Sequence, residues 1–236
     1  MERPFDIITF DCYGTLIDWE TGIADAFLDA AQKDGIALRR DDVLRAYEHH
    51  EPIVEHEQYR SYRDVLALTA LRVAQALGWP LASAIGAETT SGAFLPDSLP
   101  HWKPFADTNR ALERLRAAGY RLGILSNVDD DLLAETRRHF TVDFDLIITA
   151  QQVGSYKPAP GHFLAAQQRI GSARWLHAAQ SNFHDIVPVN AMGLPTAWVN
   201  RRGDTPLPGG IPTYEVRDMA GLADLLSRHG RQRWLA

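Results

Sequence analysis

The sequence is poor in the features that mark several large classes of protein. It has a single cysteine, Cys12, in 236 residues, which excludes an internal disulfide and fits a reducing compartment. It has no apolar run near the roughly 18 residues that a membrane-spanning helix requires. The N-terminus, "MERPFDII", has no basic stretch leading into an apolar one and a small-residue cleavage site, so a cytoplasmic protein is expected. Positive charge is in deficit, with 24 Lys and Arg against 30 Asp and Glu and a formal net charge of −6. Neutralising nucleic-acid phosphates takes clustered cations, whereas pairs such as Arg39-Arg40 and Arg201-Arg202 are scattered and read as solvated surface. There is no internal repeat and no low-complexity segment. What is left, 45% hydrophobic and 23% charged residues, is the composition of an ordinary globular protein.

Five short apolar runs read as strands: "FDIITF" (5–10), "RLGILS" (121–126), "DLIITA" (145–150), "WLHAAQ" (175–180) and "PTAWVN" (195–200). Helical patterns separate the later ones, and strand–helix alternation implies a parallel, Rossmann-like sheet with right-handed crossovers and helices on both faces. About a hundred residues separate the first two strands. "TGIADAFLDAAQKDGI" has apolar residues at helical spacing, and "RDDVLRAYEHHEPIVEHEQYRSYRDVLALTALRVAQALG" supplies two further helical stretches, with a kink or break expected at Pro52. A short helix is expected at roughly 81–94, and the Pro-rich "LPDSLPHWKP" reads as a linker. The α/β fold predicted is therefore a core of residues 1–16 and 100–236, with a helical cap of residues 17–99 inserted after the first strand.

Open parallel sheets bind ligands beyond the C-terminal ends of their strands, and four groups fall there. Asp11 and Thr15 follow the first strand, Ser126 and Asn127 close the second, Lys157 in "YKPAP" follows the third, and "QSNFHD" (180–185) follows the fourth. Singly these are weak signals, since Ser-Asn after a strand is commonly turn chemistry. Their order is specific.

That order, from "FDCYGTL" through the helical insertion to "GLPTAWVNRRG", resembles the haloacid dehalogenase superfamily, and within it the 2-haloacid dehalogenases. The resemblance implies a hydrolase that attacks the halogen-bearing carbon of a small 2-haloacid with Asp11. An aspartyl ester forms, and water then cleaves it to the 2-hydroxy acid. It implies further roles at matching positions. Lys157 keeps Asp11 ionised, Ser181 and Asn182 position water or Lys157, and Asp185 orients Lys157 or polarises that water. Ser126, the backbone N–H of Asn127 and Thr15 would hold substrate carboxylate oxygens. Tyr13 would lend a backbone N–H and a wall against solvent, with Cys12 a buried small residue beside the nucleophile. Dimerisation through cap or core helices is compatible with the resemblance.

Phosphatases of the superfamily carry a second aspartate two residues after the nucleophile, and an acidic pair after the fourth strand that helps to bind magnesium. Here those positions hold Tyr13 and Gln180. A hard cation wants carboxylate oxygens, and a phosphate ester needs a proton donor for its leaving group. A halide leaves unprotonated. No metal or other cofactor is expected, therefore, and a magnesium-dependent phosphatase and a catalytically silent anion- or partner-binding relative are the alternatives. His49, His50 and His56 lack a zinc-site spacing and read as solvated. The sequence departs from the dehalogenases in two further places. Their substrate-contacting cap arginine has only Arg45, Arg60 or Arg63 as candidates here, and the tyrosine six residues after their lysine is Phe163.

Overall fold

The computed structural model describes residues 3–83 and 92–228. The chain divides into two compact units, one of residues 1–18, 104–127 and 138–236, the other of residues 19–103 and 128–137.

The first unit is built on six parallel strands: β1 (Ile7–Phe10), β2 (Arg121–Ser126), β3 (Leu146–Thr149), β4 (Trp175–Ala179), β5 (Thr196–Val199) and β6 (Tyr214–Val216). Their order across the sheet is β3-β2-β1-β4-β5-β6. Strands buried on both faces read as near-continuous apolar runs, and "IITF" and "TAWV" are buried at every position. After β3 the chain crosses to the other side of β1 and enters β4. The C-terminal ends of β1 and β4 thus flank a topological switch point, where open sheets place their ligand crevices. The helix Gly161–Ile170 packs Phe163, Ala166 and Ile170 against Ile7, Leu125 and Ile148 of the sheet. β6 has no counterpart in the sequence reading. It is a three-residue strand with no fully buried position, too short and too polar to show as an apolar run.

The second unit is helical. Helix α1 spans Trp19–Lys33, α2 Arg40–Glu57 and α3 Tyr62–Ala76. Phe27, Trp79 and Phe94 meet at its centre with ring centroids 5.1–6.5 Å apart. Gly22 is obligatory, since a Cβ there would lie 2.3 Å from the Trp102 indole. Residues 128–137 belong to this unit because Asp129 caps α3, accepting the backbone N–H groups of Tyr62 and Arg63 at 2.9 Å each. Two expectations are corrected here. Of the kink or break expected at Pro52, the break is absent: helix α2 runs on through it, so packing of the helix outweighs the lost N–H. The stretch taken as a linker is wound instead into the helix Phe94–Ser98 and a 3-10 turn, Leu99–His101; Leu95, Pro96 and Leu99 are buried, and that burial overrides the proline signal. The short helix expected at 81–94 falls largely outside the described residues. Among the described residues no helix is long and apolar enough to cross a membrane.

Candidate active site

Asp11 directly follows β1 and still holds the sheet register, its N–H donating to Ala178 O at 3.1 Å. The chain then turns sharply at Gly14, whose φ of 97° lies where only glycine is unstrained. The turn brings Thr15 back so that its hydroxyl donates to Asp11 Oδ2 at 2.8 Å. Thr15 is itself fixed, since its Oγ1 accepts the Gln180 N–H at 2.9 Å and its carbonyl accepts Arg201 Nη2 at 2.9 Å.

Lys157 is 2% exposed and donates three hydrogen bonds, to Asp11 Oδ1 (2.9 Å), Asp185 Oδ1 (2.7 Å) and Leu125 O (3.0 Å). An ammonium has three N–H bonds to give, and all are used. Asn127 seats the lysine backbone reciprocally: its Oδ1 accepts Lys157 N–H at 2.7 Å while its Nδ2 donates to Lys157 O at 3.1 Å. With all three side chains ionised, one cation stands between two carboxylates.

The electrostatics divide the two acids. Burial raises Asp185, but Lys157 and His177 outweigh it and hold this carboxyl far below the usual range. Asp11 goes the other way. Burial lifts it above the ordinary 3.8, and the negative charge of Asp185 adds to the rise, while Lys157 and Thr15 pull it back in part. The expected pull of Lys157 on Asp11 is present, and burial together with the charge of Asp185 outweighs it. Lys157 itself is driven upward by its two partners against the cost of burial. The Cys12 thiol is buried and pushed well above its usual value, so it is an inert small residue beside Asp11.

Of the residues singled out from the sequence, the structure brings together Asp11, Thr15, Lys157 and Asp185. Asn127 joins them through the lysine backbone. Ser126 is fully buried at the end of β2, and its Oγ has no hydrogen-bond partner among the described residues. Ser181 and Asn182 are engaged elsewhere. Ser181 Oγ accepts the His184 N–H and caps the π-helical turn Asn182–Ile186. Asn182 donates to Gly210 O at 2.8 Å and accepts Leu207 N–H at 3.1 Å. Gly210 permits that contact, since a Cβ there would stand 1.8 Å from Asn182 Oδ1. Tyr13 is partly buried and bridges to Ile17 within the turn. Phe163 lies in the core against His177 at 5.4 Å.

In the helical unit, Arg45 pairs with Asp42, Arg60 with Glu57, and Arg63 with Asp97 and Asp131. Among the described residues no group of His, Cys, Asp or Glu side chains could hold a metal ion.

The pattern of the haloacid dehalogenase-like hydrolases matches residues 5–179, a span that holds Asp11, Thr15, Ser126 and Lys157. The chain belongs to that family. An (S)-2-haloacid dehalogenase of Pseudomonas putida is 29% identical to it over 229 residues, covering 95% of this chain and 99% of that one. The crystal structure of a defluorinating L-2-haloacid dehalogenase superposes with a TM-score of 0.78 at 23% identity, over 94% of this chain and 95% of that one. A HAD-hydrolase from Bacillus subtilis bound to magnesium does so with a TM-score of 0.79 at 19% identity, over 96% of this chain and all of that one. Backbone likeness to the two structures is nearly the same, so the fold does not choose between a dehalogenase and a magnesium-bound hydrolase. The side chains have to.

Two residues that the sequence did not place at the site tie it together. Arg201, read as surface, is largely buried. It stacks over Phe105 at 3.8 Å, pairs with Asp107 at 3.2 Å and holds the Thr15 carbonyl. His177 is the other. Its signal was available, as a histidine inside a strand buried at every position.

Proposed function

We propose that this chain hydrolyses small 2-haloacids to 2-hydroxy acids without a metal, with Asp11 as nucleophile. The reading rests above all on how the carboxylate oxygens are occupied. Both oxygens of Asp11 accept hydrogen bonds, from Lys157 and Thr15, and Asp185 Oδ1 accepts two, from Lys157 and His177. Lys157 Nζ occupies the place between the two acids that a bridging cation would need, and the positions where the phosphatases carry further acids hold Tyr13 and Gln180. Of the four oxygens of this pair, Asp185 Oδ2 is the one that accepts no hydrogen bond.

In the first step Asp11 displaces halide from the 2-carbon with inversion, a carbon–oxygen bond forming as the carbon–halogen bond breaks. Lys157 and Thr15 keep the carboxylate oriented, and no proton donor is needed for the halide. In the second step water adds to the Asp11 carbonyl carbon. Asp185 Oδ2 takes its proton and passes it to the alkoxide oxygen as the ester opens, which releases the hydroxy acid. The carboxylic acid left on Asp11 gives its proton to solvent to regenerate the nucleophile. The overall balance is haloacid plus water giving hydroxy acid, halide and a proton. Ser126 Oγ and the Asn127 N–H are the donors assigned to the substrate carboxylate, and the helical unit is assigned the role of cap. The (S)-acids named for the relatives are the first substrates to try.

Because Asp11 must be ionised to attack and its pKa is raised, turnover should fall with falling pH through a midpoint above 3.8. The test is halide release from chloroacetate, bromoacetate, fluoroacetate and both enantiomers of 2-chloropropionate, with and without chelator. Chelator-resistant release, abolished in Asp11→Asn by a factor of at least about 10⁴, is the expected result. Magnesium-dependent phosphate release from a small phosphate ester, with no halide released, would replace this reading with the phosphatase one.

A further inference from the structure

Behind the site, inside the sheet, a second set of polar groups runs from β4 to β1. His177 Nε2 lies 2.9 Å from Asp185 Oδ1, and His177 Nδ1 lies 2.8 Å from Thr9 Oγ1. Trp175 Nε1 donates to the same Thr9 oxygen at 2.7 Å. His177 and Thr9 are buried, and Phe163 and Trp175 lie edge-on to the imidazole at 5.4 and 6.5 Å. Three polar side chains in a sheet interior cost stability unless each is satisfied, and with a neutral imidazole their donors and acceptors fit in one order. An indole can only donate, so Thr9 Oγ1 accepts from Trp175 and has its own hydrogen to give. That hydrogen goes to Nδ1, which puts the imidazole proton on Nε2, facing Asp185. The opposite tautomer would set a nitrogen lone pair against a carboxylate.

We propose that His177 is a positioning residue for the ester-hydrolysis step. The assignment rests on the dehalogenase reading above. His177 Nε2–H and Lys157 Nζ both bind Asp185 Oδ1, which fixes the carboxylate plane and leaves Oδ2 as the oxygen without a hydrogen bond. Lys157 alone could swing with Asp11 as that residue becomes an ester and loses its charge. The histidine ties Asp185 to the rigid sheet instead and keeps Oδ2 directed while the lysine's other partner changes. The role assigned to His177 is orientation. Outer partners that orient a reacting side chain are commonly worth about 10–100-fold.

The experiment compares His177→Gln and His177→Leu with the wild-type enzyme in single-turnover reactions with (S)-2-chloropropionate. It follows halide release, the mass of the Asp11 ester and thermal unfolding. Gln can present its amide N–H near the place of Nε2, and Leu cannot. The expected result is that His177→Leu releases its first halide at a rate within about threefold of wild type but hydrolyses the ester about 10–100-fold more slowly, so that the ester accumulates. His177→Gln should recover most of that loss. Equal slowing of both steps in the two variants, tracking their loss of thermal stability, would overturn the proposal and leave His177 a structural residue. Nitrogen-15 NMR of the histidine ring gives a readout independent of turnover: a proton on Nε2 and none on Nδ1 is expected, and the reverse overturns the assignment. If the wild-type enzyme releases no halide from any 2-haloacid, the dehalogenase reading fails and takes the hydrolysis role with it, while the NMR result still decides the tautomer.

Discussion

The two units each enclose a cluster of acids, and the clusters behave oppositely. In the α/β unit, Asp11 and Asp185 are buried around Lys157, and Asp185 is held far below the usual carboxylate range. In the helical unit, Glu51 stands among Tyr47, Glu55 and Tyr62, and burial lifts it to about 7 against the lowering effect of a hydrogen bond from Tyr62. Burial alone disfavours the charged form in both places. The cation makes the difference: Lys157 keeps Asp185 ionised in one cluster, while in the other Glu51 is lifted to about 7. Asp11 shows the intermediate case, because a lysine divided between two acids does not fully compensate the second.

Removing the cation should convert the first cluster into something like the second. Lys157→Met is expected to abolish turnover and to lower stability at pH 7 by about 3–5 kcal/mol, the usual cost of leaving buried charge without its partner. Urea unfolding would also show the loss shrinking at low pH, as the stranded carboxyls protonate. In the second cluster, Glu51 has a folded pKa above its ordinary 4.5. Its contribution to stability is therefore greatest below pH 4.5 and falls as pH rises toward 7. Glu51→Gln should remove that slope, worth at most about 3 kcal/mol, and unfolding midpoints measured from pH 4 to 8 would show it. Tyr62→Phe should cost about 1 kcal/mol and move the same slope to higher pH, since the hydrogen bond that favours ionised Glu51 is gone. The smallest effect is expected outside both clusters. Arg201→Met keeps a stem to pack on Phe105 but frees the Thr15 carbonyl, and it should slow halide release several-fold at a stability cost of about 1 kcal/mol.

How much of this was legible in the sequence depended on the range of the interaction concerned. The first five strands were visible because each is a run of apolar residues bounded by turn chemistry, and Asp11, Thr15, Lys157 and Asp185 were visible because each sits just past such a run. Pairings across the sheet were not. Nothing local to Asn182 says that its amide will tie down Leu207 and Gly210, and nothing local to Arg201 says that it will reach Thr15. Arg-Arg before a glycine reads as surface unless the Phe105 ring and Asp107 are known to lie beneath it. Pro52 and the prolines of 95–104 misled for the complementary reason. Local propensity argued for breaks, and burial of Val54, Leu95 and Leu99 decided for helix.

The central claim is that Asp11 Oδ attacks carbon and that water attacks Asp11. A single turnover in water enriched in oxygen-18, with enzyme in excess over (S)-2-chloropropionate, tests it directly. The account predicts a first-turnover lactate that carries oxygen-16, taken from the enzyme, and an oxygen-18 label found by mass spectrometry in the peptide containing Asp11. Lactate labelled in that first turnover, with the Asp11 peptide unlabelled, would mean that water displaces the halide itself and would contradict the account.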